Sequence, residues 1–198
     1  MVAIDEKLLK SVRDYAEKNE HKERYEHSLR VADTARILCR KFTLDEDKGY
    51  FAALSHDICK NMDKDRLYEL VKSHNLEITE QEVKQKGLLH GKGAAIILKE
   101  NFNYDDKDVL EAVSYHTTGK ADLCPLGRCL FIADRMEPGR TYLSREYRDS
   151  VDKLGLNHAC LKLLEDNMQY LEQSGLEIAG VSFEYERFLQ NEINGGNL

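Results

Sequence analysis

The stretch Phe51-Ala-Ala-Leu-Ser-His-Asp-Ile-Cys59 (FAALSHDIC) sets an imidazole and a carboxylate, His56 and Asp57, side by side in an otherwise apolar run. Burying the pair without partners would cost several kcal/mol, so something else in the core has to compensate it. Working outward, the same arrangement recurs. The stripe Val31, Ala35, Leu38, Phe42 extends four residues backward to His27, and Val109, Ala112, Val113 lead into His116. Asp134 follows Leu126, Leu130 and Phe131 at helical spacing. His90 opens a segment whose Ala94, Ile97 and Leu98 share its face, with Gly91 and Gly93 beside it read as points of flexibility. One histidine on such a stripe reads as a hydrogen-bonded core residue. Five helical segments that each deliver an imidazole or a carboxylate to an apolar face read as one shared metal centre. Its nitrogen and oxygen donors, with no thiolate, suit Fe, Mn, Co, Ni or Zn rather than an all-oxygen calcium cage.

Strand signals are weak elsewhere, and apolar residues recur at spacings of three and four, which predicts an all-α fold. Helices are expected at 5–18, 23–42, 45–59, 63–74, 79–86, 91–101, 106–116, 125–136, 140–152, 156–173 and 181–192. Asp45, Thr79 and Asp105 read as N-caps, Pro125 as a first helical residue, and Gly119 and Gly175 as helix ends. The expected organisation is a single domain over 1–198. Its metal-binding core spans about 20–150 and its supporting C-terminal helices about 153–192.

A net charge of −7 argues against a sequence-independent grip on nucleic acid. The charged N-terminus lacks a signal peptide's apolar core, and no segment approaches the ~20 apolar residues of a membrane span. Five cysteines without a C-x-x-C pair suit reduced thiols. Together these place the chain in the cytoplasm, with no nucleic-acid and no membrane partner.

The order His27, His56-Asp57, His90, His116, Asp134 resembles the HD-domain superfamily of metal-dependent phosphohydrolases, whose binuclear branch carries the two extra histidines. EHSLRVADTA (26–35), AALSHDICK (52–60), LLHGKGA (88–94), SYHTTGKADL (114–123) and LFIADRMEPGR (130–140) resemble, more narrowly, the YqeK-type bacterial hydrolases. That resemblance implies an HD-domain helical bundle that splits diadenosine tetraphosphate symmetrically into two ADP. It implies two divalent or trivalent transition-metal ions, iron first, with Mn, Co, Ni and Zn as alternatives. His27, His56, Asp57 and Asp134 would hold one ion, and His90 and His116 the second. Asp57 would bridge them, and a bridging hydroxide would attack phosphorus. Ser55, Cys59 and Arg135 depart from the family pattern without removing a donor.

On this reading Asp57, Lys60, His90 and His116 are the catalytic residues. Lys60, Lys92, Thr117, Thr118, Lys120, Arg135 and Arg140 are the phosphate-binding candidates, with a solvated cationic rim as the bland alternative. Asp33 reads as an orienting carboxylate or an exposed helix charge. His21, His74 and His158 match no ligand position, and Tyr25, Tyr104 and Tyr115 read as core or rim aromatics, which leaves adenine recognition open. The expected partner is a small nucleotide, and the expected state a monomer or homodimer. The alternatives are another HD-type nucleotide phosphohydrolase (a nucleoside monophosphatase or alarmone hydrolase), a diiron HD oxygenase, or a nucleotide sensor without activity.

Overall fold

The structure is a computed structural model that describes residues 4–195, so the outermost residues of the expected 1–198 domain lie outside the described part. Eleven α-helices and no strand occur among those residues. They are α1 (Glu6–Asn19), α2 (Lys22–Lys41), α3 (Glu46–Ser55), α4 (Lys64–Ser73), α5 (Glu80–Lys84), α6 (His90–Phe102), α7 (Lys107–Tyr115), α8 (Pro125–Met136), α9 (Arg145–Asp152), α10 (Leu156–Gln173) and α11 (Gly180–Ile193). None is long and apolar enough to cross a membrane.

Local chemistry sets most helix starts. Asp45 caps α3 by accepting from the Asp47 and Lys48 amides, and Thr79 and Glu82 form a reciprocal capping box on α5. The cap of α7 is Asp106 rather than Asp105: its carboxylate accepts from the Val109 amide and also meets Lys48 Nζ at 2.7 Å. Gly119 and Gly175 have φ of +68° and +67°. At Gly119 a Cβ would also fall 2.1 Å from the Tyr185 ring, so the turn after α7 and the seat of α11 both need glycine there.

The two expected helices that fall furthest short are 45–59 and 140–152, observed as Glu46–Ser55 and Arg145–Asp152. The 45–59 helix stops at Ser55, where side chains occupy its last carbonyls. Ser55 Oγ donates to the Phe51 and Ala52 carbonyls, and His56 Nδ1 donates to the Ala53 carbonyl at 2.6 Å. The chain continues in tighter i→i+3 turns, Lys60 N to Asp57 O and Met62 N to Cys59 O. The 140–152 helix begins only at Arg145, where the Ser144 hydroxyl caps it by accepting from the Tyr147 amide; the residues before it form turns, Thr141 N to Gly139 O and Leu143 N to Arg140 O, which leaves Arg140 in a loop.

Helix α2 packs on α3 and α8, α3 also on α7 and α8, and α7 on α6 and α8. The donor-bearing helices therefore form one connected set, α2, α3, α7 and α8 around a core that includes Phe51, Leu54, Leu130 and Phe131, with α6 joined to it through α7. Helices α10 and α11 pack on each other, α10 rests on α8, and Tyr185 of α11 meets Phe131 edge-on at 5.7 Å.

Glu20, which closes α1, carries a testable consequence. It is buried; Oε2 accepts from Ser28 Oγ at 2.8 Å, while Oε1 has no partner. Burial pushes its carboxyl up to about 7. Between its ordinary 4.5 and this raised value, the unfolded chain releases a proton that the folded chain keeps. Stability therefore falls as pH rises through that window. Glu20→Gln should remove this decline. The stability difference between variant and wild type should grow from acid to pH 8 by on the order of 2 kcal/mol, read from urea midpoints of metal-free protein at pH 4.5 and 8.

Candidate metal centre

Three of the histidines use one device. His56 Nδ1 bonds to the Ala53 carbonyl, His90 Nδ1 to that of Gly87 at 2.7 Å, and His116 Nδ1 to that of Val113 at 2.8 Å, each three residues back. A carbonyl only accepts, so Nδ1 carries the proton and Nε2 is left with a lone pair. His27 reaches the same state differently, with Nδ1 held 3.1 Å from Glu137 Oε1.

These Nε2 atoms converge on carboxylates. His27 Nε2 lies 3.0 Å and His56 Nε2 4.0 Å from Asp134 Oδ1, and His56 Nε2 is 3.5 Å from Asp57 Oδ2. On the other side of Asp57, Oδ1 lies 3.1 Å from His90 Nε2 and 3.7 Å from His116 Nε2. The latter two nitrogens are only 3.0 Å apart. Lone pairs this close repel unless a shared cation lies among them. His27 Nε2, His56 Nε2 and Asp57 Oδ1 are buried without a hydrogen-bond partner, the condition that coordination relieves. The donors form two groups able to hold a metal, His27-His56-Asp57 and Asp57-His90-His116, joined by Asp57. Asp134 stands at the edge of the first. The residues present therefore fit a pair of ions.

The charge states agree. Burial lowers His56 to about 4, which keeps its imidazole neutral, and burial likewise lowers His90. Burial alone would raise the Asp57 carboxyl, yet His56, His116 and His90 outweigh it and hold it well below the usual carboxylate range. Asp134 follows the same balance, with His27 as the largest counterweight. Neutral imidazoles and ionised carboxylates are the forms a metal binds.

The expected phosphate ligands divide. Lys60 Nζ donates to His90 Nε2 at 3.1 Å and stands 3.9 Å from Asp57 Oδ1. Thr117 Oγ1 is 3.1 Å from His116 Nε2 and 3.3 Å from His90 Nε2. Arg140 bonds Asp134 Oδ1 at 2.9 Å. These three border the donors. Arg135 spends its guanidinium on the carbonyls of His116, Thr117 and Phe131, which fixes the turn carrying His116. Lys92 is buried and tied to Glu82 and to the Glu77 carbonyl, away from the centre. Lys120 bonds the Ala121 carbonyl and faces Glu111 at 3.7 Å, and Thr118 Oγ1 donates to the Gly119 carbonyl. Asp33 and His158 are exposed, and His74 pairs with Glu100.

Two important residues were not assigned from the sequence. Arg24 Nη1 donates to Asp57 Oδ2 at 2.9 Å. Glu137 is buried and binds His27 Nδ1, Arg30 Nε (2.6 Å) and the Gly139 amide (2.5 Å). Its only sequence signal was its place three residues after Asp134 in IADRMEPGR. Carboxylates that orient a ligating imidazole are typically worth 10- to 100-fold in metal affinity. Glu137→Ala should weaken metal binding by roughly that factor, measured by competition with a chromogenic chelator. Unchanged affinity would remove Glu137 from the site.

Known proteins bear on this geometry. A chain from Staphylococcus aureus named "Bis(5'-nucleosyl)-tetraphosphatase, symmetrical" is 38% identical over 120 residues, covering 60% of each chain. One of the same name from Halalkalibacterium halodurans is 31% identical over 150 residues, covering 75% of this chain and 79% of the relative. A crystal structure from Clostridium acetobutylicum, described as a "predicted HD superfamily hydrolase involved in NAD metabolism", superposes with a TM-score of 0.85 at 29% identity, covering 92% of this chain and 97% of the other. Residues 24–139, more than half of the chain, match the HD domain. That stretch runs from Arg24 past Asp134 and takes in every donor just described, so the chain belongs to the HD domain family.

Proposed function

We propose that this chain is a cytoplasmic metal-dependent phosphohydrolase that cleaves dinucleoside polyphosphates, diadenosine tetraphosphate symmetrically to two ADP, and that the whole chain works as one unit, monomeric or dimeric. The observation that carries the reading is the single carboxylate, Asp57, common to two histidine clusters. The names of the two curated relatives supply the substrate. Asp57 would hold both ions, with His27, His56 and Asp134 completing one site and His90 and His116 the other. Iron is the first candidate, with Mn, Co, Ni and Zn as alternatives. When bound, such a pair supplies an acidified water and a positive clamp on phosphoryl oxygens.

The remaining work falls to the chain. Lys60, Arg24 and Arg140 are each partly exposed and contact a carboxylate of the centre. They are placed to exchange that contact for phosphoryl oxygens as a polyphosphate arrives. The Thr117 hydroxyl, beside both His90 and His116, can orient an incoming oxygen. Cleavage at the central bridge releases a nucleoside diphosphate as an anion, which needs neutralising charge more than a proton, and Lys60 is the nearest ammonium.

The test is incubation of protein loaded with each candidate metal with diadenosine tetraphosphate, with products resolved by anion exchange. ADP alone is expected. ATP plus AMP, or no turnover beside activity on monophosphates or alarmones, would reject the reading.

A further inference from the structure

Beyond the metal centre, a cleft of about 580 Å³ opens between the loop before α9 and helix α10, lined by Arg135, Tyr142, Tyr147, Asp166, Asn167 and Tyr170 among others. Its size lies within the range of small-molecule sites. Arg135 is a shared wall: its guanidinium donates to the carbonyls of His116 and Thr117 at 3.2 and 2.7 Å, so the cleft begins one side chain from the metal donors.

Two of the aromatics have no structural occupation. Tyr142 and Tyr170 are 74% and 64% exposed, which is unusual for large rings, and neither stacks on another aromatic among the described residues. Tyr147, by contrast, is fixed. Its hydroxyl donates to Asp166 Oδ2 at 2.5 Å, and Lys162 neutralises that carboxylate at 2.6 Å. The Asn167 amide has no hydrogen-bond partner among the described residues, so it offers both a donor and an acceptor to the cleft.

Flat exposed rings, an uncommitted amide and a wall shared with a phosphate site suit one class of ligand. We propose that this cleft seats a purine nucleoside, its base against Tyr142 and Tyr170 and its amino and ring-nitrogen edge on Asn167. The nucleoside is one arm of the substrate, so the inference rests on the nucleotide reading above. An amide that both donates and accepts matches the adenine edge in the way asparagine does in base recognition. A second cleft of similar size, about 560 Å³ between α5 and α11, is a poorer seat for a polyanion's arm. Five glutamates, Glu77, Glu80, Glu82, Glu177 and Glu184, line it against three lysines, Lys84, Lys92 and Lys120, each of which already faces a carboxylate.

The experiment is calorimetric titration of metal-loaded protein with ADP and, separately, with inorganic pyrophosphate. Tyr142→Ala and Tyr170→Ala should each weaken ADP roughly tenfold, within the range of base-aromatic stacking, and leave pyrophosphate unchanged. Tyr170→Phe should restore ADP binding. Unchanged ADP affinity in both alanine variants, or equal loss for pyrophosphate, overturns the proposal. So does a loss seen only with Val181→Glu, which would move the base to the α5–α11 cleft. Binding is read without turnover. A protein that holds ADP through these tyrosines yet leaves diadenosine tetraphosphate intact refutes the activity and keeps the cleft.

Discussion

Asp57→Asn is expected to lower kcat/KM by about a thousandfold, the upper end of what loss of one preorganised charge-stabilising group costs, and to reduce bound metal from two ions per chain to one or none. Asp57 is the only donor the two clusters share. Its two oxygens are divided between them, Oδ2 toward His56 and Oδ1 toward His90 and His116. An amide keeps the shape but offers one neutral oxygen and puts an N–H where the other stood. By contrast, His27→Ala and His90→Ala each disturb one cluster and should leave one ion bound. Metal analysis alongside initial rates separates the cases. The amide variant should stay folded, because Arg24 and Lys60, the cations that lose its charge, are both partly exposed to water, and circular dichroism checks this. Full metal occupancy in Asp57→Asn, or turnover surviving in His90→Ala, would refute a centre that needs both ions.

The convergence of donors was legible because it follows from a 3.6-residue period: each donor extends an apolar stripe, and stripes face the core. What the period does not encode is how helices sit against one another. Lys92 lies two residues from His90, yet residues two apart on a helix point in different directions. Its ammonium therefore reaches Glu82 instead of the centre. Glu137 sits in the IADRMEPGR motif, but its role exists only once the end of α8 lies beside His27 of α2, 110 residues away in sequence. Periodicity also overran α3. The His56 imidazole takes the Ala53 carbonyl just where α3 ends, as His116 takes that of Val113 where α7 ends, and that side-chain chemistry is invisible to an apolar count.

Gly91 carries the second large expected effect, and it corrects a reading of flexibility. A Cβ at Gly91 would lie 2.6 Å from the Val113 carbonyl oxygen, 2.8 Å from that of Ser114 and 3.2 Å from His116 Nδ1. The first two are backbone atoms at the end of α7 and cannot swing aside. The glycine is there for close approach: it lets the first turn of α6, with its positive dipole end, abut the last carbonyls of α7. That contact sets the His90–His116 spacing of 3.0 Å. Gly91→Ala must push α6 and α7 apart, at a cost of roughly 1–3 kcal/mol for overpacking. In a chain of 198 residues that corresponds to a Tm lower by about 2–12 °C. A ligand displaced by near 1 Å should also cost about a hundredfold in turnover. Gly180→Ala is the control, since nothing lies within 4 Å of its added Cβ, and it should leave both readings near wild type. Thermal melts and initial rates at saturating metal decide it. A Gly91→Ala protein with wild-type Tm and rate would mean that the α6–α7 approach does not hold the second histidine pair in register.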